Sequence, residues 1–62
     1  MKRRDLVKQI NQIAKDNNHI PIWAEGGNHT KVTLGTITIT VPRHSEINER
    51  TAQAILDQAR KA

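Results

Sequence analysis

The stretch Thr30-Lys31-Val32-Thr33-Leu34-Gly35-Thr36-Ile37-Thr38-Ile39-Thr40-Val41-Pro42 decides the fold, because polar and apolar residues alternate on both sides of a single glycine. Successive side chains of a strand point to opposite faces, so the alternation marks two half-buried strands joined by a tight turn at Gly35. Val32, Leu34, Ile37, Ile39 and Val41 are expected to face a core. The other face then carries His29, Lys31, Thr33, Thr36, Thr38 and Thr40. Pro42 has no backbone N–H and stops the pairing.

Upstream, Ile20, Ile22 and Ala24 share one parity, and Pro21 near the beginning suits an edge strand, where a missing ladder donor is tolerable. With Ile20 and Ile22 pointing inward, Trp23 points outward, either as an exposed stacking platform or as a lid over apolar surface. Gly26-Gly27-Asn28 joins this strand to the next, since all three residues accept positive φ cheaply. Before it, Leu6, Val7, Ile10, Ile13 and Ala14 recur at helical spacing from Arg4 to about Asn17. Asp16-Asn17-Asn18 ends that helix. Lys2, Arg3 and Arg4 crowd its start, where the helix dipole prefers anions and no Ser, Thr or Asn stands ready to cap. That end is either a frayed, solvated terminus or a phosphate contact. Beyond Val41, Asn48 is a good N-cap with Glu49 in the first turn, and Ala52, Ile55, Leu56 and Ala59 form the apolar stripe of a second helix. The expected fold is one small α+β domain over residues 1–62, in the order α-β-β-β-α. Its three-stranded antiparallel meander turns one face to both helices.

At 62 residues the chain buries a small core, so a partner or a dimer can matter to its stability. It has no cysteine, which excludes disulfides and thiolate metal sites and fits a reducing cytosol. No apolar run reaches the ~18 residues of a membrane span, and the charged N-terminal segment does not read as a signal peptide. A soluble, cytoplasmic protein is expected. Ten Lys and Arg against six Asp and Glu give a net charge of +4, which favours anionic partners, nucleic acid or an acidic protein.

Local chemistry exceeds the needs of folding at Gly26-Gly27-Asn28-His29-Thr30-Lys31. Histidine titrates near neutral pH and can give or take a proton, and a lysine two residues on can hold a phosphate. His29 shares its face with Lys31 and Thr33, which argues against a core histidine. His19, His29 and His44 lie in different loops without Cys, Asp or Glu at ligand spacing, so neither a metal nor another cofactor is expected. No Ser-His-Asp order, P-loop or dinucleotide fingerprint is present. A single histidine can nonetheless cleave RNA, because the ribose 2′-hydroxyl is the nucleophile and the protein need only move protons and stabilise charge at phosphorus. Lys31 and Arg43 are candidate stabilisers. Lys2, Arg3 and Arg4 are candidate RNA contacts, and His44 is either a second acid-base group or structural.

Gly27-Asn28-His29, the run Thr40-Val41-Pro42-Arg43-His44, and Glu46-Ile47-Asn48-Glu49-Arg50-Thr51-Ala52 to Ile55-Leu56 resemble the HicA family of bacterial toxins, as does the N-terminal Asp5-Leu6-Val7-Lys8. The resemblance covers nearly the whole chain. It implies a fold similar to a double-stranded RNA-binding domain, cleavage of mRNA independently of translation, and neutralisation by a HicB-type antitoxin. It also implies that His29 is the catalytic histidine. Asn28 stands where the family more often has Ser, Arg3 where a capping Ser is frequent, and Thr30 where many members have a second His. Two other classes suit the same composition: a non-catalytic module resembling double-stranded RNA-binding domains, and a protein-interaction domain with an acidic partner.

Overall fold

The structure, a computed structural model, describes residues 1–62. Its elements are α1 (Arg3–Asp16), β1 (Ile22–Glu25), β2 (Thr30–Leu34), β3 (Ile37–Val41) and α2 (Glu49–Arg60). This is the α-β-β-β-α order expected. β2 is central and antiparallel to both neighbours. The register pairs Thr30 with Val41, Val32 with Ile39 and Leu34 with Ile37, so the apolar parities of the two strands coincide. They meet Leu6, Ile10 and Ala14 of α1 and Ala52, Ile55, Leu56 and Ala59 of α2 in one buried cluster. Both helices therefore cover one face of the sheet, and Lys31, Thr38 and Thr40 stand exposed on the other. No helix is long and apolar enough to cross a membrane.

The helix ends follow local chemistry. Asn48 accepts the Arg50 N–H through its side chain at 2.8 Å, satisfying a donor that the first turn of α2 leaves unpaired. At the end of α1, Asn18 takes φ 62°, while the His19 N–H reaches back to the Ala14 carbonyl and the Asn18 N–H to that of Lys15. This pair of bonds is a Schellman closure, and asparagine tolerates the left-handed conformation it needs. The start of α1 differs from a frayed end. Lys2 caps it without a side-chain bond, yet the Arg3 N–H donates to Ser45 and the Ile47 N–H to Met1, so the first residues pair with the loop before α2. The Met1 ammonium donates to the Ile47 carbonyl at 2.9 Å and lies 3.3 Å and 3.4 Å from the Glu46 and Glu49 carboxylates. Partial desolvation opposes its charge, but the two carboxylates outweigh this and raise its pKa above 8.0.

β1 departs from the expected parity. Trp23 pairs with Val32 and packs against the core, donating its indole N–H to Asn11 Oδ1 at 2.9 Å, whereas Ile20 and Ile22 are 85% and 63% exposed. A four-residue edge strand with apolar groups on both parities is weakly registered by hydrophobicity alone. The indole settles the choice, because it covers more apolar area than an isoleucine and its polar edge finds a partner. Glu25, on the same parity, gains Thr30 and Arg43 as partners. Trp23 is thus a core-covering residue and leaves Ile22 on the open face.

The two glycine turns differ in the same physical sense. In the Gly35-Thr36 turn only the first central residue has positive φ, 63°, the pattern of a type II′ hairpin. A Cβ on Gly35 would also come within 2.8 Å of the His19 ring. Gly26 and Gly27 adopt no left-handed conformation, contrary to expectation, because this loop is two residues longer and the Gly26 N–H closes it onto the His29 carbonyl at 2.9 Å. A Cβ on Gly27 would meet nothing within 4 Å. Gly35→Ala is therefore expected to destabilise the domain by about 1–2 kcal/mol, and Gly27→Ala to be neutral or to stabilise it by up to about 1 kcal/mol. Thermal unfolding of the two variants reads the difference in sign.

Candidate active site

His29 ends the β1–β2 loop and is exposed. Its backbone is tightly held. Besides the Gly26 N–H, the His29 carbonyl accepts from Arg43 Nη2 at 3.1 Å, and the same guanidinium donates to the carbonyls of Gly26 and Gly27, the latter at 3.1 Å through Nη1. Its Nε faces Glu25 Oε1 at 3.1 Å, and its Nη2 lies 2.9 Å from that oxygen. Arg43 follows β3, and β3 pairs with β2, so the chain leaving the sheet passes directly under the loop. The loop that carries His29 is clamped by charge-assisted bonds from one planar fork.

Thr30 is the second fastening. It is 1% exposed and faces inward, its hydroxyl donating to Glu25 Oε1 at 2.7 Å and accepting from Arg3 Nη2 at 3.0 Å. Arg3 also donates through Nε to the Pro42 carbonyl at 2.9 Å, which ties α1 to the end of β3. Position 30 thus belongs to the buried side of the strand. A proton donor for chemistry at His29 has to be sought elsewhere, because adjacent strand residues face opposite ways.

The Thr30 hydroxyl bond lowers the Glu25 pKa from 4.5; partial desolvation opposes this, and the Arg43 and Arg3 charges add to the lowering. A carboxylate depressed in the folded state contributes stability that is present above its unfolded pKa and lost as pH falls through the folded one. Acidification from about pH 6 to about pH 3 is therefore expected to lower the unfolding temperature less steeply in Glu25→Gln than in the wild type. Identical slopes would show that the loop clamp adds nothing to acid sensitivity.

The residues singled out in the sequence fall into three groups. Arg43 and Arg3 are held internally, with most of the Arg43 donors occupied by the loop, so its expected part as a phosphate stabiliser gives way to fixing the His29 backbone. Lys2, Arg4 and Lys31 are exposed and make no ion pair. Lys2, Arg3, Arg4 and Arg43 line one open cleft with Ser45 and Glu46, whereas Lys31 stands on the open sheet face beside Ala24 and Thr40. His44 is exposed in the loop after Pro42 and shares neither that cleft nor the groove of His29. His19 lies against Gly35. No group of three His, Asp or Glu side chains is assembled that could hold a metal ion.

His29 lines a shallow groove of about 580 Å³ that runs over the β3 edge, past Thr38, Thr40 and Pro42, to Arg50, Thr51, Ala54 and Gln58 on α2. Arg50 is its one permanent cation, and the guanidinium has no hydrogen bond or ion pair. Sequence reading passed over this residue. Its signal was there in principle, since a cation in the first turn of a helix opposes the dipole, the anomaly noticed at Lys2 to Arg4. Compared with protein-family models, with curated proteins and with solved structures, the chain shows no significant match.

Proposed function

We propose that this chain is an endoribonuclease toxin of the HicA kind that cleaves mRNA in the cytoplasm without the ribosome or a metal, with His29 as the acid-base group. The observation that carries the proposal is His29 itself, an exposed imidazole on a loop whose three neighbouring carbonyls are pinned by Arg43. Arg43 fixes the backbone from which the imidazole projects, and a fixed support for the reacting residue favours proton-transfer catalysis. In this reaction the ribose 2′-oxygen attacks phosphorus as its proton leaves, and the bond to the 5′-oxygen breaks as that atom takes a proton. The products are a 2′,3′-cyclic phosphate and a free 5′-hydroxyl. His29 performs one of the two transfers, and cations stabilise the phosphorane.

A HicB-like antitoxin is the second part of the proposal. The open sheet face carries His29 and Lys31 together with the exposed Ile22, so a protein that covers it gains apolar contact while closing off the imidazole. Expression of the wild type should arrest growth and deplete mRNA, and His29→Ala should do neither. Equal toxicity of the two forms would overturn the catalytic assignment. Salt-sensitive RNA binding without cleavage at high protein concentration would leave a non-catalytic RNA-binding module.

A further inference from the structure

Three open grooves mark the surface, and their charges differ. The cleft of Lys2 and Arg4 contains Glu46, and a second groove along α1 contains Asp5 and Glu49. The groove that His29 shares with the β3 edge and α2 has no carboxylate at all. The first is the most cationic of the three, since Arg3 and Arg43 line it too and its Glu46 is paired with the Met1 ammonium, but His29 lines neither of the first two. In the third a phosphodiester strand beside His29 meets Arg50, hydroxyls and an amide. Arg50 is free to engage it, whereas Arg3 and Arg43, the cations nearest the His29 loop by bonding, already serve carbonyls and Glu25.

We propose that an unpaired strand of RNA lies in this groove between the β3 edge and α2, with one phosphate held by Arg50 and the reacting ribose at His29. The inference rests on the ribonuclease reading for the choice of this groove and for the ribose, while the phosphate site rests on Arg50, the unpaired guanidinium of a groove without carboxylates. The groove is short, and a nucleotide or two spans the distance from His29 to Gln58 along its lining. An unpaired strand also suits the chemistry. Its ribose can rotate the 2′-oxygen into line with the bond that breaks, which the regular A-form helix does not allow. Thr40, Thr51 and Gln58 supply hydroxyl and amide groups to the same strand, and Arg50 lends its fork to a phosphate bidentately.

The test uses a short fluorescein-labelled RNA in which every ribose is 2′-O-methylated, so that no nucleophile is available and binding is read apart from cleavage. Affinity is measured by anisotropy over a range of salt for the wild type, Arg50→Ala, Arg50→Lys and Lys15→Ala. Lys15 is an exposed cation of α1 that lines none of the grooves. Arg50→Ala is expected to reduce the slope of log affinity against log salt by about 0.7, the loss of one phosphate on a single strand, while Arg50→Lys retains the slope and Lys15→Ala does not change it. Arg50 and Lys15 are both exposed, and folding of each variant is checked by circular dichroism.

Wild-type slope and affinity in Arg50→Ala would overturn the groove assignment, and cleavage of unmodified RNA by the wild type would leave the nuclease reading intact. Binding that depends on Arg50 without any cleavage by the wild type would overturn the nuclease reading and keep the groove. No RNA binding at low salt would overturn both. Preference for a duplex of the same sequence would overturn the strand assignment.

Discussion

His29→Ala is expected to lower the rate of RNA cleavage by about 10²–10⁴-fold, the usual worth of a positioned acid-base group, while leaving the unfolding temperature close to that of the wild type. The two halves of this outcome have separate causes. The imidazole is exposed and makes no hydrogen bond within the protein, so removing it disturbs no packing. What fixes the loop is the His29 carbonyl, bonded to the Gly26 N–H and to Arg43, and alanine keeps that carbonyl. A purified variant that folds normally and cleaves at the wild-type rate would remove His29 from the reaction. A variant that loses both activity and fold would show instead that the ring is structural. A substrate with a deoxyribose at the cleaved position should resist the wild type as well, because the nucleophile is then missing.

Leu56→Ala is expected to destabilise the domain by about 2–5 kcal/mol, the range for truncating a buried leucine. At about 0.05–0.15 kcal/mol per residue a chain of this length has roughly 3–9 kcal/mol in total. The variant is therefore expected to be largely unfolded at physiological temperature or close to it. Leu56 is 1% exposed and sits in the α2 stripe that meets β3 and α1, so the cavity opens at the junction of three elements. Urea unfolding should show a midpoint shifted far downward with little change in slope, and Leu56→Met should retain most of the stability. A midpoint close to wild type would mean that α2 does not pack as described. The same marginal core explains why the polar fastenings around Thr30, Glu25, Arg3 and Arg43 matter to so small a protein.

The two parts of the fold that were legible in advance were legible for one reason. The alternation of Thr30 to Val41 and the helical spacing of Leu6 to Ala14 and Ala52 to Ala59 each record burial directly, residue by residue, so period and face come out together. β1 was misread because its burial is divided. Ile20 and Ile22 compete with Trp23 for the core, and four residues at a sheet edge give hydrophobicity too little to choose with. The start of α1 is not frayed, and the sequence alone does not show this because the loop that holds it lies more than forty residues away, in Ser45, Glu46 and Ile47.

The site divides in the same way. Sequence by itself determined the parity of β2, with Val32 and Leu34 buried and Lys31 exposed, and so an exposed His29 just before its first residue. Only the tertiary structure decided what surrounds it. Arg43 turns from a candidate phosphate ligand into the clamp of the His29 loop, Thr30 into a buried hub, and Arg50 into the free cation of the groove. Arg43 reaches back across the hairpin to backbone carbonyls, Thr30 meets Arg3 from the other end of the fold, and Arg50 comes beside His29 around a strand edge. Periodicity reports which side of an element is buried; it carries no information about which distant groups meet there.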